Sequence, residues 1–85
     1  MKVFTREELY QAVYDILKHK LNIPTWQSFQ ESARLNEDLY LDSIMILQLI
    51  LHLELDLGLN IPDDMLVPKD FRTVKSLLDF LEGLI

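Results

Sequence analysis

The apolar positions of this chain recur at helical spacing in three stretches, separated by two irregular ones. In the first stretch, Leu9, Val13, Ile16 and Leu17 form a stripe that Ala12 and Leu21 extend. Ahead of it, Thr5-Arg6-Glu7-Glu8 matches a capping box, in which the Thr5 hydroxyl and the Glu8 carboxylate each take a backbone N–H. Lys18, His19 and Lys20 fall in the last turn, where cations suit the helix dipole. The spacing predicts a helix over about residues 6–20, with His19 exposed at its end. Pro24 forbids its continuation, and residues 22–41 read as a long connection. Trp26, Phe29, Ala33 and Leu35 are spaced along that connection as anchors, with a short helical turn expected near Gln27 to Ser32.

The second periodic stretch, from Ser43 to about Leu57, is the most apolar in the sequence. Ile46, Leu49, Ile50, Leu53 and Leu57 gather on one arc, which predicts a core face. Ile44, Leu47, Leu51 and Leu55 gather nearly opposite, with Glu54 between the two arcs. Such a helix is either sandwiched inside a bundle or half exposed for a partner. Gln48, His52 and Asp56 make up the polar remainder, with His52 expected to face solvent. Gly58 and Asn60-Ile61-Pro62 end the helix. Short turns are expected over residues 62–66 and 68–71, the second carrying Phe71 as an apolar plug. Thr73 then caps a last helix with Val74, Leu77, Leu78, Leu81 and Leu84 as its stripe and Phe80 widening it.

Eighty-five residues make one small domain, 1–85, and without cysteine neither a disulfide nor a thiolate metal site can staple it. Leucine is abundant, glycine is scarce and strand-like alternation is absent, so the expected class is all-α. Fourteen acids against eight bases argue against a nucleic-acid binder. From Leu35 to Pro68 there is no Lys or Arg, yet there are seven acids, Glu37, Asp38, Asp42, Glu54, Asp56, Asp63 and Asp64. They serve either solvation or the steering of basic partners. Asp63 and Asp64 read as helix-dipole partners rather than metal ligands, so no metal is expected. No apolar leader follows Met1, and charged residues break the long apolar run, so a cytoplasmic protein that does not enter membranes is expected.

The candidate chemistry lies where the connection meets the second helix. Asp42 and Ser43 are both favoured caps, and capping is the plain reading of such a pair. The string Asp38-Leu39-Tyr40-Leu41-Asp42-Ser43-Ile44, however, resembles the attachment motif of acyl carrier proteins. Ile61-Pro62-Asp63 and Thr73-Val74 follow at offsets similar to those in that family, so the resemblance spans essentially the whole chain. It implies a four-helix bundle, with three main helices, a short third one and a long loop between the first two. It also implies 4′-phosphopantetheine carried on the Ser43 hydroxyl through a phosphodiester, with Asp42 and Asp38 as neighbours at the site. The second stripe begins one residue after Ser43, which favours a docking strip of Ile44, Met45, Leu47, Gln48, Leu51 and Glu54. The implied partners of this monomer are a phosphopantetheinyl transferase, an acyl- or aryl-adenylating loading enzyme and a downstream acyl-transfer or condensing enzyme.

Carriers of fatty-acid synthesis present acids just after the serine, where this chain has Met45, Leu47 and Gln48. Residues 34–50 are similar instead to the discrete aryl carriers of petrobactin-type siderophore assembly, which are loaded with 3,4-dihydroxybenzoate. The alternatives are a carrier for fatty-acid or polyketide synthesis and a helical interaction module without a prosthetic group. Catalysis by the chain itself is not expected, since neither His19 nor His52 is placed as a base for Ser43.

Overall fold

The computed structural model describes residues 4–61 and 72–83. Helix α1 spans Arg6–Asp15 and runs on as a π-helical segment, Ile16–Lys20. Helix α2 spans Ser43–Leu57, and helix α3 spans Val74–Glu82. There is no strand among the described residues. The further turns expected over residues 62–71, and Leu84, lie outside them. No described helix is long and apolar enough to cross a membrane.

Local chemistry sets the helix ends. The Thr5 hydroxyl accepts from the Glu8 N–H at 3.1 Å, and the Glu8 carboxylate accepts from the Thr5 N–H at 2.9 Å. Thr73 and Ser76 form the equivalent box ahead of α3. At the far end of the first helix, Asn22 takes a left-handed conformation at φ 53°, and the Ile23 N–H turns back to the Leu17 carbonyl. Asparagine tolerates that region better than most side chains, which suits it to a helix exit. Gly58 performs the same office for α2 at φ 68°.

Both α2 and α3 pack on the first helix. Leu9, Val13, Ile16 and Leu17 supply its buried face, Leu49, Ile50 and Leu53 that of α2, and Val74, Leu77, Leu78 and Leu81 that of α3. Ile46, Leu57 and Phe80 pack on this core while partly buried. The connection is held by what it buries, namely Ile23, Ala33, Leu35, Leu39 and Leu41. Its backbone is also tied to the start of α3, where the Leu35 N–H donates to the Arg72 carbonyl at 2.9 Å and the Val74 N–H to the Ala33 carbonyl at 3.0 Å. The helical turn in this segment is a 3₁₀ turn over Trp26–Ser28, slightly earlier than the spacing suggested. Phe29 meets Tyr10 edge-on, with ring centroids 4.9 Å apart. Trp26 is half-buried against the core beneath the Lys18 ammonium, 4.1 Å from its ring.

Arg6 gathers three carboxylates from distant parts of the chain, those of Glu31, Asp79 and Glu82. It therefore ties the start of α1 to the connection and to the end of α3. Its guanidinium is held more firmly protonated by these bonds, chiefly the one from Glu31.

Candidate functional site

Ser43 is the first residue of α2, and it is exposed. The cap itself is Asp42, whose extended backbone precedes the helix and whose carboxylate accepts from the Met45 N–H at 2.8 Å. Of the two candidate caps, then, aspartate takes the work and leaves the serine hydroxyl free of it. Among the described residues, no hydrogen bond engages that hydroxyl. The result is an accessible primary hydroxyl at the positive end of a fifteen-residue helix. Such a place favours negative charge on whatever the oxygen carries.

The loop leading to Ser43 is stiffened by Asp38. One carboxylate oxygen accepts from the Arg34 N–H at 2.7 Å and from its guanidinium at 3.3 Å. The Arg34 N–H above all, and then its side chain, hold the Asp38 carboxyl below the ordinary carboxylate range. Arg34 also pairs with Glu37. Between Asp38 and Asp42, Leu39 and Leu41 are buried and Tyr40 projects outward. Tyr40 takes φ 57°, a left-handed conformation that costs a bulky side chain about 1–3 kcal/mol.

The second apolar arc of α2 is open. Ile44 is 65 % exposed, Leu47 52 %, Leu51 58 % and Leu55 79 %, which excludes the sandwiched alternative for this ridge. At about 100° and 1.5 Å per residue the four lie within roughly 80° of arc and about 16 Å of helix. With Tyr40 they make up the exposed large hydrophobics of the described residues, so such surface is confined to residues 40–55. Gln48 is exposed beside the ridge, while Met45 is only partly exposed, being packed on the core.

Three polar residues of α2 are engaged or partly covered. Glu54 is not a free surface charge, because its carboxylate accepts from the Ile61 N–H at 3.3 Å beyond the end of α2. Asp56 is likewise engaged, with the Lys20 ammonium at 3.6 Å. His52 is partly buried rather than solvent-facing, along a cleft it shares with Lys20, Leu21, Gln48, Leu51 and Leu55. Tyr40 was the residue that the pattern passed over. A tyrosine carries no signal for a left-handed turn, and only its place between two buried leucines hinted that it faces outward.

No group of three or more His, Cys, Asp or Glu able to hold a metal occurs among the described residues. Residues 11–81 match the family described as the phosphopantetheine attachment site. The chain is 48 % identical over 79 residues to the acyl carrier protein AsbD of Bacillus anthracis, covering 93 % of this chain and 87 % of that one. It is 32 % identical to an acyl carrier protein of Coprothermobacter proteolyticus over 92 % of each chain. To an acyl carrier protein of Micrococcus luteus it is 27 % identical, over 93 % of this chain and 94 % of the other.

Proposed function

Since the chain belongs to the acyl carrier proteins, the family that bears 4′-phosphopantetheine, we propose that it carries that group on Ser43 and with it an aryl acid, 3,4-dihydroxybenzoate, for siderophore assembly. The observation that carries the attachment reading is the division of labour at the mouth of α2. Asp42 satisfies the Met45 N–H, so Ser43 can lose its proton and take a phosphodiester without uncapping the helix. When bound, the group supplies a terminal thiol that holds the acyl unit as a thioester, which this cysteine-free chain could not do alone.

The chain's own residues bind and present; they do not catalyse. In the loading step the Ser43 Oγ–H bond breaks and an Oγ–phosphorus bond forms at the pyrophosphate of coenzyme A. The nucleotide bisphosphate leaves, and the proton passes to a base of the transferase. Ser43, exposed beyond the buried Leu39 and Leu41, is accessible to that enzyme. Ile44, Leu47 and Leu51 offer it, and the loading and acceptor enzymes, an apolar ridge to rest on. Gln48 flanks this ridge.

Two features favour an aryl cargo over a fatty acyl one. The positions just after Ser43 hold Met45, Leu47 and Gln48 in place of acids, so partners that read charge there find none. Residues 34–50 also resemble the aryl carriers of petrobactin-type siderophore assembly. The work is cytoplasmic, where coenzyme A and the adenylating enzymes are found. Incubation with coenzyme A and a phosphopantetheinyl transferase should add one arm, visible as a single gain in intact mass. An adenylating enzyme, ATP and 3,4-dihydroxybenzoate should then add one acyl unit. An unmodified wild-type chain would dismiss the carrier reading. An arm that takes fatty acyl groups but refuses the aryl acid would restore the fatty-acid alternative.

A further inference from the structure

We propose that Tyr40 is a recognition residue for the enzyme that installs the arm, and that the cleft beside its ring seats a cationic side chain of that enzyme. The inference rests on the carrier reading above.

The backbone around Tyr40 is fixed on both sides. Leu39 and Leu41 are buried; the Leu39 carbonyl accepts from the Thr25 hydroxyl at 2.8 Å, and the Leu41 N–H donates to the Leu35 carbonyl at 2.9 Å. Between these anchors the chain needs a residue with positive φ, a need that glycine would meet without strain. It has tyrosine instead, 73 % exposed, with no hydrogen bond, ion pair or ring contact among the described residues. Among the described residues, this strained aromatic has no polar or ring contact to offset its cost. Strain of this kind persists where function uses it. Tyr40 stands three residues before Ser43, on the loop that any enzyme reaching the hydroxyl must approach.

The occupant follows from charge. Tyr40 lines an open cleft of about 380 Å³ with Ser28, Gln30, Glu37 and Asp38. Arg34 is the single Lys or Arg between Lys20 and Lys69, and it is shared between Glu37 and Asp38. The cleft therefore keeps an excess of acid beside an open aromatic face. An enzyme that delivers coenzyme A to Ser43 holds the phosphates of that substrate next to the serine, and arginines and lysines are the side chains suited to that. A guanidinium or ammonium from that basic rim can lie on the Tyr40 ring and be met by the carboxylates behind it. The adenylating enzyme works at the far end of the arm and has no such obligation here.

The test measures arm installation by the host's phosphopantetheinyl transferase, followed by intact mass on wild type, Tyr40→Gly and Tyr40→Phe, with Ser43→Ala as the blank. Tyr40→Gly should melt no lower than wild type and lose about tenfold in kcat/KM, mainly through KM for the carrier. Tyr40→Phe keeps the ring face and should stay within about twofold. Tyr40→Gly modified at the wild-type rate would overturn this proposal and leave the carrier reading intact. So would Tyr40→Phe as slow as Tyr40→Gly, since the hydroxyl would then be what matters. A lower melting temperature for Tyr40→Gly would overturn it too, by giving the ring a role in the fold. A wild type that takes no arm would remove the carrier reading, and this proposal with it.

Discussion

The Asp42 carboxylate accepts the Met45 N–H at 2.8 Å across the first turn of α2, and Ser43 lies between the two without sharing the bond. The cap and the attachment residue are adjacent but separate. Their substitutions should therefore have opposite signatures. Ser43→Ala should change stability by no more than about 0.5 kcal/mol, since it removes no cap, yet it should abolish the gain of an arm. Asp42→Ala should cost about 1 kcal/mol while leaving the hydroxyl in place. Urea unfolding beside intact mass reads both. Modification surviving in Ser43→Ala would move attachment elsewhere, with Ser28, Ser32 and Ser76 as the next candidates.

Two leucines on one helix should behave as differently. Leu47 is half exposed on the ridge of α2, and Leu49, two residues on, is completely buried. Leu49→Ala should cost about 2–5 kcal/mol, enough to threaten so small a core. Leu47→Ala should stay under about 1 kcal/mol yet weaken transfer from the loading enzyme. Thermal melting paired with a loading assay compares them directly. If Leu47→Ala loads at the wild-type rate, the ridge is not a docking surface.

Much of this architecture is legible in the residues because the signals are local. Thr5 and Glu8 announce the start of α1 from a four-residue string, and the spacing of Leu49, Ile50 and Leu53 gives the buried face of α2. Both apolar arcs of α2 can be read from the sequence. Whether the second arc is covered as well as the first cannot, because that depends on what packs around α2. Long-range polar contacts were equally hidden. Arg6 meets Asp79 and Glu82 across more than seventy residues, and Glu54 reaches past the end of its own helix to Ile61. No periodicity encodes such partners. The assignment of the cap to Asp42 rather than Ser43 is a matter of one residue of register, where helix ends are least determined by pattern.

The Arg6 cluster sets a dependence on pH. Asp79 is held below its ordinary value of 3.8 chiefly by its hydrogen bond from Arg6, and Asp38 likewise, chiefly by the Arg34 N–H. A carboxyl that is more acidic folded than unfolded contributes its full share of stability above the unfolded value. That share is lost as pH falls through the lower folded value. These two groups should therefore leave the melting temperature unchanged between about pH 7 and 5 and lower it below about pH 4. In Asp79→Asn the acid-side fall should be shallower, because one of the two carboxylates is gone. Melting curves for wild type and Asp79→Asn from neutral pH to about pH 2.5 test this. Superimposable acid limbs would show that the Arg6–Asp79 bond contributes nothing to folding.

The acids at the end of α2 should act on encounter, but they cannot be removed as freely as surface charges. Glu54 holds the Ile61 N–H and Asp56 holds Lys20, so truncating either disturbs a contact as well as a field. Glu54→Gln avoids this at the first position, because the amide oxygen still accepts from Ile61 while the charge is gone. Asp56→Asn gives up only an exposed pair, worth well under about 1 kcal/mol. The double variant should melt close to wild type and be loaded more slowly by a basic partner at low salt. The deficit should shrink as ionic strength rises through about 0.15 M, where screening operates over about 8 Å. Stopped-time loading assays at three salt concentrations would show the trend. A deficit that persists unchanged at high salt would mean that the acids act through contact geometry, and a missing deficit would mean that they serve only solvation.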